Sequence, residues 1–272
     1  MADITVPVLI VGGGGCGLSS SIFLSDLGVE HLLIERHDST SNLPKAHYLN
    51  QRTMEIFRQH RLAESVYALG APMDKYGRVR WMTSLGGDGP LDGKTFHEMD
   101  GFGSGSSAET YAKDSPGPSS NLPQLRLEPV LRQHAEDRSA PGTIRFGHEL
   151  LGISEDDDGV VAEIRERATG ETYRIRAQYL IGADGGKTVG RMIAVQMQGI
   201  TDFLDLVSMH FSADLSPWWD EDCLITFFSN PDGGAGWGSG ATDAICGGGT
   251  RRCWNSGTGC NPSWARMGWT AP

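Results

Sequence analysis

Apolar residues fill positions 6–11 without a break, as in a strand buried on both faces of a parallel sheet. A glycine-rich turn follows at 12–17. Apolar residues then recur at helical spacing over 18–27, and Gly28 serves as the helix stop. Residues 31–35 (HLLIE) form a second strand. Strand, turn, helix and strand together have the size of a βαβ unit. Helical spacing returns over 50–62, through Met54, Ile56, Phe57 and Leu62, and again over 126–137. Residues 69–102 read as strand and loop around a glycine-rich turn at 86–89. Residues 108–121, rich in Ser, Pro and Gly, are predicted as an exposed loop. Residues 144–180 read as a β-meander with turns at 156–159 and 169–170. A short buried strand at 179–181 then leads into Gly182-Ala183-Asp184-Gly185-Gly186.

Composition removes several function classes. The 272 residues suffice for one large domain or two ordinary ones. The net charge of −11, from 34 acidic and 23 basic residues, comes without a long basic run, so nucleic acid is not expected as a partner. No stretch approaches the roughly 20 apolar residues of a membrane helix. The start, Met1-Ala2-Asp3-Ile4, lacks a basic signal region, so no membrane partner and a cytoplasmic location are expected. The five cysteines are odd in number and include no CxxC pair. Neither a disulfide framework nor a metal site is expected from them. Residues 241–272 sustain neither period while carrying Cys246, Cys253, Cys260, Trp254, Trp264 and Trp269 among glycines. They read as neither ordinary fold element nor linker, and a truncated or misread coding end would produce such a tail.

Gly12, Gly14 and Gly17 satisfy G-x-G-x-x-G between the first strand and its helix. The first glycine allows the tight turn, the second lets a pyrophosphate approach the backbone, and the third lets helix and strand pack closely. Gly15 lies within the same turn. The helix N-terminus offers free N–H groups and a positive dipole end to phosphates. Glu35 closes the second strand, where a carboxylate can accept from an adenosine ribose. Arg36, next in the chain, joins the same candidate site. This pattern predicts an α/β fold that binds a dinucleotide, and it does not separate FAD from NAD.

Later motifs carry a family resemblance. Residues 179–191 (YLIGADGGKTVGR) are similar to the second fingerprint of the flavin aromatic hydroxylases. Residues 44–57 (PKAHYLNQRTMEIF), 122–131 (LPQLRLEPVL) and 206–240 resemble further blocks, in order, of the phenol 2-monooxygenase and 2,4-dichlorophenol 6-monooxygenase type. The resemblance implies a Rossmann-like FAD-binding domain, a parallel sheet with a β-meander, at 1–77 and 104–194. It implies part of a mixed-sheet substrate domain at 78–103 and 195–240, ahead of the atypical tail at 241–272. It assigns Asp184 and Gly185 to the FAD pyrophosphate and ribose, and Gln124 to the ribityl chain. Lys45 stands where the family usually has an arginine near the pyrophosphate, and Gly15 where it commonly has a proline. Lysine keeps the charge but loses the bidentate fork. The family's third fingerprint, G-D-A-x-H, is absent from the 272 residues.

The resemblance implies hydroxylation of a phenolic substrate with NADPH or NADH and O2, through a flavin C4a-hydroperoxide, and often a homodimer. The cofactor then does the hard chemistry, while the protein positions the substrate and helps deprotonate it. His47 is the candidate base, because its segment would run beside the flavin and histidine titrates near neutrality. Tyr48 and His210 are weaker candidates. Trp81, Met82, Phe211, Phe227 and Phe228 suit an aromatic pocket or plain core packing equally. Two other readings stay open: a flavin-dependent reductase or oxidase of the same fold, and a truncated, non-catalytic FAD-domain fragment.

Overall fold

The run of β-formers at Ile4–Val11 (β1) becomes the centre of a sheet because both its faces are apolar. Leu9 and Ile10 are fully buried, and the strand pairs in parallel on both sides. In this computed structural model the described residues are 3–43, 45–71, 77–199, 220 and 222–229. The backbone is also described at 207–212, 230, 234–239 and 252–257. The chain divides into two compact units, each taken by itself below.

The first unit comprises Met1–Lys45, Phe57–Val66 and Gln124–Gly199. After β1 the chain turns into α1 (Gly15–Asp26) and returns as β2 (His31–Glu35), completing the expected βαβ unit. Gly28 ends the helix with φ +69°, the left-handed conformation glycine adopts at no steric cost. Leu18 and Ile22 bury the inner face of α1. Ser21 on that helix meets His31 Nε2 at 2.7 Å, while His31 Nδ1 lies 2.9 Å from the Val29 carbonyl. A carbonyl only accepts, so Nδ1 carries the proton and Nε2 accepts from the serine hydroxyl. This Ser–His pair satisfies two buried polar groups and is a structural tie.

The other strands of this unit are β7 (Ile144–Phe146), β8 (His148–Asp156), β9 (Gly159–Glu166) and β10 (Thr172–Gly182). The sheet order is β7-β2-β1-β10-β9-β8, with β8, β9 and β10 as the antiparallel meander. β10 also runs parallel to β1, which brings its far end, Ile181 and Gly182, beside Ile10 and Val11. Residues 179–181, expected as a separate buried strand, are the end of β10, and Tyr179 is 69% exposed. Here β10 pairs with β1 on one side only, because its pairing with β9 ends at Ala177. α5 (Gln124–Arg138) covers α1, and α6 (Val189–Met192) follows the second fingerprint.

The second unit comprises Ala46–Ile56, Tyr67–Pro123 and Ile200–Pro272. Residues 46–56, 67–77 and 104–123 group in this unit. α2 (Gln51–Gln59) and α3 (Ala63–Leu69) each have residues in both units. The large sheet contains β4 (Arg78–Met82), β5 (Thr95–Asp100), β11 (Val207–Ser212), β12 (Cys223–Asn230), β13 (Gly234–Ser239) and β14 (Arg252–Gly257). Its order is β11-β14-β13-β12-β4-β5, mixed because β12 runs parallel to β4. β14 lies in the tail that showed no sustained period. Backbone pairing needs no apolar alternation, so the pattern could not signal it. Cys246, Cys260, Trp264 and Trp269 lie outside the described residues.

The stretch 108–121 is not an exposed loop. It holds α4 (Ala108–Asp114), and Ser115, Ser119, Ser120 and Asn121 are buried. β6 (Ser120–Asn121) pairs with β3 (Tyr48–Leu49). Glycine and proline mark only the turns around α4. Its own residues are helix formers, with Glu109 and Lys113 paired at 2.6 Å across one turn.

Candidate functional site

The two glycine fingerprints meet at one joint. The Gly12 amide donates to the Ile34 carbonyl at 2.8 Å, and the Ala183 amide donates to the Val11 carbonyl at 2.8 Å. Gly12 has φ +114°, and a Cβ on it would sit 2.4 Å from the Ala183 carbonyl oxygen. A Cβ on Gly17 would sit 1.8 Å from the Gly12 carbonyl oxygen. Both positions therefore exclude any side chain. The strand end, the helix start and the second fingerprint are thereby pressed together.

Gly14 caps α1 in an extended conformation and supplies no side-chain cap. The first-turn amides of α1 consequently have no intrahelical acceptor and face an open glycine turn, a cradle suited to an anion. Gly15 has nothing within 4 Å of its Cβ position, so its departure from the family's proline costs no space. This arrangement fits a dinucleotide pyrophosphate.

Glu35 serves the turn itself. Its Oε2 accepts from the Gly13 amide at 2.7 Å, and its Oε1 from the His37 amide at 2.8 Å with His37 Nδ1 at 2.5 Å. Gly13, which the sequence motif leaves open, is also constrained: a Cβ there would lie 2.7 Å from the Glu35 Cβ. The four-glycine run was the only signal for it. Arg36 is exposed, and its carbonyl accepts from Arg167 at 2.9 Å. Lys45 is exposed and makes no ion pair among the described residues.

Asp184 accepts from the Gly186 amide at 3.0 Å, the Val189 amide at 2.9 Å and the Thr188 amide. Burial pushes its carboxyl upward, but these backbone donors outweigh burial and hold it below the usual aspartate value. Asp184 thus organises the turn, with Gly185 at φ +74°.

Gln124 opens α5 and donates from Nε2 to Glu128 Oε1 at 2.6 Å. Glu128 is 2% exposed, and its Oε2 accepts from the Ser41 amide at 2.9 Å. A Cβ on Gly14 would lie 3.4 Å from Glu128 Oε1, so this carboxylate flanks the glycine turn. Sequence reasoning missed Glu128. A glutamate in an amphipathic helix reads as surface charge, and only its spacing of one helical turn from Gln124 hinted otherwise.

The candidate base belongs to the second unit. His47 Nδ1 lies 2.8 Å from Asn121 Oδ1, and its ring stands edge-on to Phe102 at 6.3 Å between centroids. Burial lowers the His47 pKa below the usual histidine value, partly offset by the Asn121 hydrogen bond. The amide oxygen only accepts, so Nδ1 carries the proton and Nε2 keeps its lone pair. Tyr48 packs on Phe102 at 4.7 Å, and burial raises its phenol pKa, which makes it the poorer base. His210 and Phe211 lie in β11, whose side chains are outside the described residues. Trp81 stacks on Phe227 at 5.1 Å within the second unit's sheet. The described residues contain no group of metal ligands, and no helix among them is long and apolar enough to cross a membrane.

Residues 5–255 match the family model described as FAD binding domain. A phenol 2-monooxygenase of a Pseudomonas species is 34% identical over 211 residues, which are 78% of this chain and 32% of the relative. A putative polyketide hydroxylase of Streptomyces coelicolor is 38% identical over 208 residues, 76% of this chain and 31% of the relative. The crystal structure of the flavin-dependent monooxygenase PieE, in complex with FAD and substrate, superposes with a TM-score of 0.86 at 32% identity. That match covers 98% of this chain and 46% of PieE. The chain thus spans about a third of these curated relatives and under half of PieE.

Proposed function

From the premise that this chain belongs to the FAD binding domain family, among the flavin-dependent aromatic monooxygenases, we propose that it hydroxylates a phenolic substrate with NAD(P)H and O2. FAD, when bound, supplies acceptance of electrons from the nicotinamide and activation of O2. The chain's own residues bind and orient. The glycine turn and the α1 N-terminus receive the pyrophosphate, Glu35 and Arg36 lie on the adenosine side, and Lys45 supplies a positive charge. Gln124 serves the ribityl chain, and Asp184 with Gly185 shapes the second edge. His47 Nε2 takes the phenol proton, because a phenol with pKa near 10 is a poor nucleophile until deprotonated.

The observation that carries this reading is the placement of His47, half-buried and held by Asn121 Oδ1 at 2.8 Å from Nδ1, with burial lowering its pKa. Relatives named for phenol, dichlorophenol and polyketide hydroxylation support a phenolic ring, from a simple phenol to a polyketide. The test supplies FAD, NADPH and a panel of phenols under 18O2 and follows isotope-labelled product by mass spectrometry. His47→Gln is expected to slow product formation about 100-fold and to flatten the acid limb of the pH profile. An unchanged rate and profile would remove His47 from the chemistry. NADPH oxidation without labelled product would instead identify a reductase or oxidase.

A further inference from the structure

We propose that Glu128 is a positioning residue. It fixes the amide of Gln124 so that the carbonyl oxygen, and not the NH2, is presented to the ribityl hydroxyls. The inference rests on the placement of Gln124 at the cofactor. A glutamine amide has two orientations of nearly equal shape, and only its partners choose between them. Gln124 and Glu128 stand one turn apart on the same face of α5. A carboxylate only accepts, so the 2.6 Å contact commits Gln124 Nε2 to Glu128 and turns Oε1 away, where it has no partner among the described residues. The carboxylate cannot swing aside, because its second oxygen holds the Ser41 amide at 2.9 Å, 87 residues away in sequence. At 2% exposure Glu128 is itself shielded from water. A buried carboxylate is costly unless stabilised. Here the positive end of α1 lies alongside, since Oε1 is 3.4 Å from the Cβ position of Gly14, the α1 cap.

The experiment is FAD titration of the 272-residue apoprotein by flavin fluorescence quenching, with circular dichroism and melting recorded on every variant. Gln124→Ala is expected to weaken FAD binding about tenfold, the scale of one hydrogen bond made by an oriented group. Glu128→Ala should weaken it comparably, and adding it to Gln124→Ala should cost little more. Gln124→Glu should bind FAD more weakly than Gln124→Ala, because it sets two carboxylates against each other. The exchange Gln124→Glu with Glu128→Gln rebuilds the contact with reversed polarity. Residue 128 can then still accept from Ser41, and residue 124 still offers an acceptor oxygen. The exchange should therefore return affinity to within about threefold of wild type. If Glu128→Ala unfolds the chain, the exchange alone decides. Should it bind FAD no better than Gln124→Glu, the positioning role is wrong even where Gln124→Ala is weakened. If Gln124→Ala binds FAD like wild type, the cofactor placement of Gln124 fails and the proposal with it.

Discussion

Two of three glycines in one turn must be glycine, each for a different reason, and the third need not be. Gly12 needs both its positive φ and its bare Cα, because Ala183 closes on it from the second fingerprint. Gly17 has an ordinary helical backbone, yet a methyl group there would sit 1.8 Å from the Gly12 carbonyl oxygen. Gly15 has neither restriction. It is the first residue of α1, nothing lies within 4 Å of its Cβ position, and Gly14 before it is extended at φ −81° and ψ −172°. Proline suits the first position of a helix, and an extended residue tolerates a following proline. Gly17→Ala is therefore expected to destabilise the chain by about 3 kcal/mol or more and to abolish FAD binding. Gly15→Pro is expected to stabilise it by about 0.4–1 kcal/mol, chiefly by restricting the unfolded chain. Thermal melting of the two variants checks both. A stable Gly17→Ala or an unstable Gly15→Pro would contradict this account of the turn.

At the scale of elements, α2 shows what a sequence reveals and what it hides. Its start is legible. Asn50 precedes the helix, and its Oδ1 accepts from the Thr53 amide at 2.8 Å, an ordinary N-cap. Its end is not legible, and the periodicity runs on to Leu62. The helix stops at Gln59 because Arg61 takes φ +57°, with the Arg61 amide donating to the Arg58 carbonyl and the Leu62 amide to the Phe57 carbonyl. This is a Schellman ending with arginine where glycine is usual, so the stop signal is missing from the sequence. Arg61→Gly is expected to raise stability by about 1 kcal/mol through relief of the left-handed strain, read as a higher melting temperature. The ion pair lost, Arg61 to Asp26 at 3.7 Å with Arg61 81% exposed, is too exposed to offset this. The βαβ start was legible for the opposite reason: strand, glycine turn and helix each carry a period of their own. Glu128 and the buried Ser119, Ser120 and Asn121 were not, since polar residues that become buried look the same in sequence as polar residues that stay wet.

For the whole molecule, the buried histidines and the paired carboxylates both make acid destabilising. His47, His134 and His148 all have lowered pKa values, with burial as the largest cause in each. A histidine whose folded pKa lies below its unfolded value of about 6.5 binds protons more readily in the unfolded chain. Stability is therefore lost as pH falls through that window. The paired carboxylates follow at lower pH. Asp156, held to about 2 by the Arg176 side chain and the Asp158 amide, contributes stability above its unfolded value and loses it as pH falls toward that number. Opposing both is the net charge of −11, whose self-repulsion eases on acidification. The melting temperature alone mixes these effects. The difference in melting temperature between wild type and His47→Gln removes what the two proteins share, because glutamine does not titrate. That difference is expected to move against wild type between pH 7.5 and 5.5, since only wild type must pay for charging a buried imidazole. A pH-independent difference would mean that His47 is solvated in the folded chain, and a change in favour of wild type would mean that an anionic partner stabilises its charged form. Either result would remove the neutral imidazole on which its role as a base depends.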